Sequence, residues 1–425
     1  MADQILQQEA YDSYRFLIDH TNFKEGSKGY GLTLDRSNNP NSASIAGSGF
    51  MLSGLVIGVE RKWDSYETNL KRAQLTLQNF YHHIPHFEGM FVHYCNFETG
   101  ERYKTCEYST IDTTLFINGM MTVDSYFDDE VIHFYAKKIY ERINWNKFVF
   151  KRRGRYVFRM AYNDIVGGDY VGKQKPGWIY HWSMMAEQLS MYVLAAGSKK
   201  VKAKRAKELF LGFDRNLGGY HDYQFVHPPL GSLFIHQFSH AWFDFRLYYD
   251  LKGYDWFRNS IQATFGNYAY CQDQRINFKT FQSYLWGLSS CDGPKGYSGY
   301  GAPPFGNYES FDKPFLKLRT DGTVALYAML ASLPFCSELV KTSVKDLLSM
   351  HPEVKGDYGF YDSINLEEGN WIGKNYLSID KGITLLMIDN YYHQTNWHYY
   401  MKHPVIQQAI QKLAFVKKEG LSWQQ

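Results

Sequence analysis

The sequence predicts an all-α chain, folded as a single helical toroid over residues 1–425, on three observations. Apolar residues recur with helical period from one end to the other. The predicted helices fall into about six pairs, more than a simple bundle holds. The connections between them are rich in Gly, Asn, Pro and aromatic residues, and several are long.

Each element has a local reason. In YETNLKRAQLTLQNFYHH, Leu70, Ala73, Leu77, Phe80 and Tyr81 line one helical face, and Asp64 with Glu67 has capping-box spacing. Further helices are expected near 4–19, 44–62, 109–125, 129–145, 182–196, 235–250 and 254–272, then near 322–334, 337–350, 380–393 and 404–416. FVHYCNFETGERYKTCEYS (91–109) is the exception, a β-hairpin turning at Glu98-Thr99-Gly100-Glu101. The Gly/Pro loops 213–232 and 292–315 are long enough to suggest function. No internal repeat is visible.

Composition excludes several classes. With 46 basic and 43 acidic residues the net charge is +3, which gives no electrostatic case for nucleic acid or an anionic membrane. The basic run SKKVKAKRAK (198–207) reads as a solvated connection. The 5 cysteines are scattered without a C-x-x-C pair, which fits a reducing compartment. The N-terminal MADQILQQEAYDSYRF lacks the apolar run of a signal peptide, and no stretch reaches the roughly 18 apolar residues of a membrane span, so a cytoplasmic location is expected. Aromatics make up 18% of the chain, and Tyr and Trp suit amphipathic ligands such as sugar rings.

Candidate motifs separate by chemistry. GGDYVGK (167–173) matches part of a phosphate loop, but Gln174 replaces the magnesium-binding Ser or Thr and Pro176-Gly177 breaks the helix that should follow. His236 and His240 have zinc-compatible spacing without H-E-x-x-H or a third ligand, so they read as pocket lining or core. Carboxylates are stronger candidates. Asp112 stands in a Ser109-x-x-Asp112 capping box, Asp292 opens a Gly-rich loop beside Trp286, and Asp380 precedes an apolar helix that contains Asp389. Glu187, in HWSMMAEQLSMYVLAAGS, is the only carboxylate of an apolar helix and has no basic residue three or four positions away. Burial would raise its pKa toward the range of a general acid. Two carboxylates across a groove are what glycoside hydrolysis needs, so the residues point to a carbohydrate-active enzyme.

Several blocks make a family resemblance visible. They include LTLDRSNNPNSASIAGSGFMLSGLVIGVERKW (32–63), YSTIDTTLFINGMM (108–121), AEQLSMYVLAAGS (186–198), GSLFIHQFSHAWFDFR (231–246) and NSIQATFGNYAYC (259–271). WGLSSCDGPKGY (286–297), DGTVALYAMLASLPF (321–335), YGFYDSINLEEGNW (358–371) and YLSIDKGITLLMIDNYYHQTNW (376–397) continue the series. Together they resemble the bacterial glucoamylase-like family that includes the endo-β-1,2-glucanases of glycoside hydrolase family 144 and a domain of cyclic β-1,2-glucan synthases.

The resemblance implies an (α/α)6 toroid that hydrolyses β-1,2-glucan or sophoro-oligosaccharides with inversion and without metal or organic cofactor. It implies that Glu187 is the acid and that Asp380, in Ser378-Ile379-Asp380-Lys381-Gly382, is the water-activating base, acting through a relay. Asp112 and Asp292 are the reserve acids. Asp35, Arg36, His236, His240, Trp286 and Trp371 are the implied sugar-contacting or site-shaping residues, and Arg36 equally fits a structural ion pair. Met185-Ala186 departs from the Tyr-Asn or Tyr-Asp usual before the acid. Internal cleavage is the first expectation. Release of disaccharide from a chain end, action on another linkage, and glucan binding without catalysis are the alternatives.

Overall fold

The computed structural model describes residues 1–172, 176–228, 230–303, 305–306 and 320–420. Among the described residues there are 13 α-helices, numbered in chain order. The first seven are α1 (Ala2–Asp19), α2 (Ile45–Glu60), α3 (Tyr66–His82), α4 (Thr110–Phe127), α5 (Glu130–Arg142), α6 (Leu189–Gly197) and α7 (Ala203–Phe210). They are followed by α8 (Trp256–Asp273), α9 (Leu326–Leu330), α10 (Ser337–Met350), α11 (Ser378–Tyr392), α12 (Thr395–Lys402) and α13 (Pro404–Leu413).

These helices sort by how many sides they bury. α6 and α9 are buried at every position, and α2 is buried continuously from Ile45 to Gly58. α4 and α11 are nearly as enclosed. A helix apolar all round must be surrounded by protein. By contrast α3 buries only Asn69, Ala73, Thr76, Leu77, Asn79 and Phe80, and α1, α5, α10 and α13 are likewise one-sided. The one-sided helices cover the enclosed ones: α1 packs on α11 and α2, and α13 on α6. Within the inner set α2 packs on α4 and α11, and α4 on α6.

Two contacts fix this arrangement. At the α2–α4 crossing, a Cβ on Gly119 would stand 1.9 Å from the Gly49 carbonyl oxygen, and one on Gly49 would stand 2.3 Å from that of Leu115. Only glycine lets the two backbones approach so closely. Between α1 and α11, the buried Lys381 ammonium donates to Glu9, whose other oxygen accepts from the Phe360 N–H at 2.9 Å. Lys355 stands 3.6 Å from the same carboxylate, so its charge is matched where it is wholly enclosed.

Several elements differ from the sequence expectation. The α3 cap is Ser65, which accepts from the Thr68 N–H at 3.1 Å, while Asp64 pairs with Arg72. The basic run at 198–207 is not merely a connection, because it enters α7, whose Ala206, Leu209 and Phe210 are buried. α12 was also unforeseen. The segment expected as a helix over 235–250 is instead a series of 3-10 turns, Leu233–His236, Phe238–Ala241 and Phe245–Leu247. Carbonyls there are taken by side chains from the C-terminal helices: His240 O accepts from Trp397 Nε1, and Ala241 O from Asn390 and Asn396.

The hairpin expected at 91–109 holds only at its turn. Asn96 Oδ1 accepts from the N–H groups of Glu98 and Thr99, and one bridge, Cys95 to Arg102, follows. Its flanks pair elsewhere: Tyr94–Asn96 with Ser42–Ser44, and Tyr108–Ser109 with Arg155–Asn163. The latter strand also pairs with Val149–Arg152 and Gly177–His181, making a four-stranded sheet that the helical reading missed. Its signal was the two-residue turn Arg153-Gly154, both with positive φ, between alternating strands. The loops at 213–232 and 292–315 also contain hairpins, Leu217–Tyr220 with Tyr223–Val226 and Ser290–Gly293 with Gly296–Gly299. Pro229, Pro304 and residues 307–315 of those loops lie outside the described residues, as do Lys173 and Gln174 of the phosphate-loop match.

Gly119→Ala is expected to lower stability by about 1–3 kcal/mol through overpacking at the α2–α4 crossing. Urea unfolding of the variant beside the parent measures it.

Candidate active site

The N-terminal ends of the enclosed helices converge on one small cavity of about 180 Å³. Ala46 opens α2, Asp112 lies in the first turn of α4, Tyr327 in that of α9 and Ile379 in that of α11, and all four line it. Glu187 just before α6, Phe234 and Phe238 from the 3-10 segment, and His93, Tyr297 and Ser290 complete the wall described here. Polar groups meet where helices with no polar flank expose their ends.

Glu187 is not in mid-helix as expected. It occupies the turn before α6, which begins at Leu189. That turn is held from behind: Ser239 Oγ donates to the Glu187 carbonyl and accepts from the Ser190 N–H at 3.0 Å. Met185 and Ala186 are buried, so they seat the turn by packing and not by hydrogen bonds to the acid. The half-buried Glu187 carboxyl faces the cavity without an ion-pair partner among the described residues. Burial pushes it up to about 7 against the pull of its own backbone N–H, and the negative charge of Asp112 adds a smaller upward push.

Asp112 belongs to a second group that the sequence did not reveal. Ser109 caps α4 as expected, accepting from the Asp112 N–H at 3.3 Å and bonding its carboxylate. His93 lies between two acids, with Nδ1 2.8 Å from Glu107 and Nε2 3.5 Å from Asp112. Burial opposes a charge on the imidazole, but Asp112 and Glu107 outweigh it and push it up to about 9. The imidazolium therefore balances part of the acid charge on this wall. Asp112 is nonetheless raised by burial.

A third group gathers four carboxylates around one guanidinium. Asp35 and Arg36 are tied to the start of α11, since Asp35 O accepts from the Ser378 N–H and Arg36 bridges Leu377. Arg36 reaches Asp35 and Asp292, both at 3.2 Å, and its guanidinium lies 5.9 Å from the Tyr297 ring centre. Asp292 also accepts from Asn375, and its N–H donates to Asp362 at 2.7 Å. Asp362 in turn faces Asp380. Both are buried and both are raised, chiefly by desolvation, and Asp380 is raised further by the charge of its neighbour. Side by side, two such carboxyls resist ionising together. Asp380 sits in the first turn of α11 without capping it. Tyr327 borders both the cavity and the space beside this pair.

The remaining expected residues lie elsewhere. His236 and His240 are buried, and both are pushed down to about 3 by desolvation. His240 bonds Ser260 at 2.9 Å among Phe245, Phe257 and Phe335. Trp286 is wholly buried against Tyr268 and donates to Ser343 at 2.9 Å. These three are core side chains, the second of the two readings open to the histidines, and none of them lines the cavity as a sugar contact would. Trp371, half-buried in the strand Trp371–Gly373, does not line the cavity. Sequence reasoning missed His93, Glu107, Asp362, Tyr297 and Tyr327. Asp362 stood within the block YGFYDSINLEEGNW, but nothing local distinguished it. Among the described residues no group of His, Cys, Asp and Glu has the geometry to hold a metal ion.

Asp112→Asn removes the smaller of the two influences that raise Glu187, burial being the larger, and is expected to move its titration slightly to lower pH. Carboxyl carbon NMR of labelled Glu187 follows this directly, and an unchanged midpoint would refute the coupling.

Comparison with known proteins places this architecture. The Glycoamylase family model matches residues 179–404, more than half of the chain. The exo beta-1,2-glucooligosaccharide sophorohydrolase (non-reducing end) of Parabacteroides distasonis is 22% identical over 434 residues, covering 94% of this chain. This chain spans 58% of that relative's length. An endo-beta-1,2-glucanase from Chitinophaga pinensis, solved with sophorotriose and glucose, superposes with a TM-score of 0.81 at 23% identity, over 98% of this chain and 99% of its own. A beta-1,2-glucanase from Parabacteroides distasonis gives 0.77 at 20% identity, over 97% and 60%. These structures share the predominantly helical fold, and the family match goes further: the chain belongs to the Glycoamylase family, the glucoamylase-like group that its sequence blocks resemble.

Proposed function

We propose that the chain is a glycoside hydrolase that cleaves β-1,2-linked glucan within the chain and with inversion. It is built as one (α/α)6 toroid over residues 1–425, with the enclosed helices as the inner ring and the one-sided helices outside. One observation carries the chemistry: a carboxyl raised to about 7, without an ionic partner among the described residues, faces a cavity whose Tyr327 also borders the space beside two raised carboxyls, Asp362 and Asp380. The names of the relatives supply the substrate. The endo reading comes first because the Chitinophaga enzyme matches over nearly the full length of both chains.

In this mechanism Glu187 is protonated at and below neutrality and donates to the glycosidic oxygen as the bond to the anomeric carbon breaks. A water attacks that carbon from the opposite face. Its proton passes to the Asp362–Asp380 pair, whose single remaining charge can accept it. Asp380 does not line the cavity, so a water or a substrate hydroxyl beside Tyr327 must relay the proton. Asp292, held by Arg36 and Asn375, keeps the pair in place through its N–H bond to Asp362. Arg36 is thus an ion-pair residue that also faces Tyr297. The reaction needs no metal or organic cofactor.

A second reading has specific support. The hairpin at 290–299 brings Tyr297 into the cavity, which would shorten the groove and favour release of sophorose from a chain end. The curated relative is named for such an exo activity.

Incubation with linear β-1,2-glucan should give new reducing ends of inverted configuration, read by anomer-resolved NMR. A ladder of products early in the reaction supports endo action, and sophorose alone supports the second reading. No hydrolysis of β-1,2-glucan would overturn the proposal. Glu187→Gln is expected to lower kcat by about 10²–10⁴-fold while preserving binding. Because the acid must be protonated, kcat should fall as pH rises through about 7. A profile level from pH 6 to 9 would exclude Glu187 as the proton donor.

A further inference from the structure

The enclosed helices have a second end. α2 begins at the catalytic cavity with Ala46 and finishes at Glu60, where Arg61 follows, and α11 runs from Ile379 and Asp380 to Tyr392. At a rise of about 1.5 Å per residue, their C-terminal ends lie roughly 20 Å from that cavity. A separate cavity of about 830 Å³ opens there, beneath the first turns of α1. This is the size of typical ligand sites, roughly 300–1,000 Å³.

Its chemistry is unusual for an incidental surface hollow. Gln4, Gln7 and Gln8 fall at i, i+3 and i+4, so three exposed amides share one helical face above the cavity. Each amide offers donors and an acceptor, the pairing that adjacent sugar hydroxyls match. Gln8 is already engaged with Asp12 at 2.9 Å, which leaves Gln4 and Gln7 available. On another side stand half-buried Trp63 and Tyr11, ring centres 5.3 Å apart at 61°, presenting the apolar faces that sugar C–H surfaces cover.

The charged groups of the lining are Arg61, Lys62 and Asp389. Arg61 lines the cavity beside the buried Asp389, and their opposite charges offset each other. Asp389 is meanwhile committed to the Thr395 and Asn396 N–H groups. Arg61 Nε is buried with no acceptor among the described residues, so the guanidinium retains hydrogen-bonding capacity. Exposed Lys62 adds one positive charge, so inorganic phosphate is the competitor that the sugar must be tested against.

We infer that this cavity is a non-catalytic subsite for a short stretch of neutral gluco-oligosaccharide, a second hold on the polymer at the opposite end of the inner helices. The identity of the sugar rests on the proposed activity. A single chain bound at both ends would gain effective concentration at the catalytic cavity, and a long polymer would profit where a short oligomer would not.

Titration calorimetry of the Glu187→Gln protein with a short β-1,2-linked gluco-oligosaccharide tests this without turnover. Two binding events are expected, and adding Gln4→Ala and Gln7→Ala should weaken one of them at least tenfold. Trp63→Phe, which keeps the packing against Tyr11, should weaken the same event. With Glu187 intact, the double glutamine variant should hydrolyse the short oligosaccharide normally but be retained less in gels containing the polymer. A single event, two events unaffected by the glutamine changes, or displacement of the sugar there by inorganic phosphate would each overturn the inference. If native protein cleaves β-1,2-glucan yet shows one event, only this inference fails. If it binds at Gln4 and Gln7 but cleaves nothing, only the proposed activity fails.

Discussion

Helices without a polar side dominate this structure. α2, α6 and α9 cannot face water along their lengths, so every other element is arranged to enclose them. Burying apolar area at about 25 cal/mol per Å² drives that enclosure. It also leaves such a helix only its two ends for polar work. The chemistry therefore collects at the convergent N-termini, where Asp112, Glu187 and Asp380 each stand within or just before a first turn.

That placement sets up a conflict which the site uses. Helix N-termini favour negative charge, yet the same crowding strips water from the carboxylates. The outcome differs from group to group. Asp292 has Arg36 and Asn375, and Glu107 has His93. Glu187 has neither, so desolvation decides its state. At Asp362 and Asp380 burial raises both carboxyls, and the charge of Asp362 raises Asp380 further. One end of the inner helices thus holds raised carboxyls beside matched ion pairs, using the same functional group throughout.

Legibility in the sequence follows the range of the interactions. The long amphipathic helices α1, α3, α8 and α10 were readable because their periodicity is local. The 3-10 segment was not, since the bonds that unwind it come from Asn390, Asn396 and Trp397. Glu187 was found because an unpaired acid among apolar neighbours is conspicuous in one dimension, although its place before α6 was not. Asp362 and His93 were invisible because their partners are far away in the chain: Asp380 and Asp292 for one, Glu107 and Asp112 for the other. The histidines at 236 and 240 and Trp286 misled for the opposite reason. Residue types suited to sugar binding are equally suited to a core when a serine meets a polar atom there, as Ser343 does for Trp286 Nε1 and Ser260 for Nε2 of His240.

The Glu9–Lys381 pair has a consequence for synthesis. The partners are 372 positions apart, and closing a loop of that length costs on the order of 5 kcal/mol in chain entropy. Until Lys355 and then Lys381 have been made, Glu9 lacks the two ammonium groups that match it, and an enclosed carboxylate without a counter-charge is strongly unfavourable. α1 therefore docks fully only after Lys355 and Lys381 have both been added, so a helix made well before α11 is secured only when α11 arrives. A chain cut short before α11 carries an open flank at α1, where Glu9 has only Lys355 to meet and an uncovered apolar face marks it as unfinished.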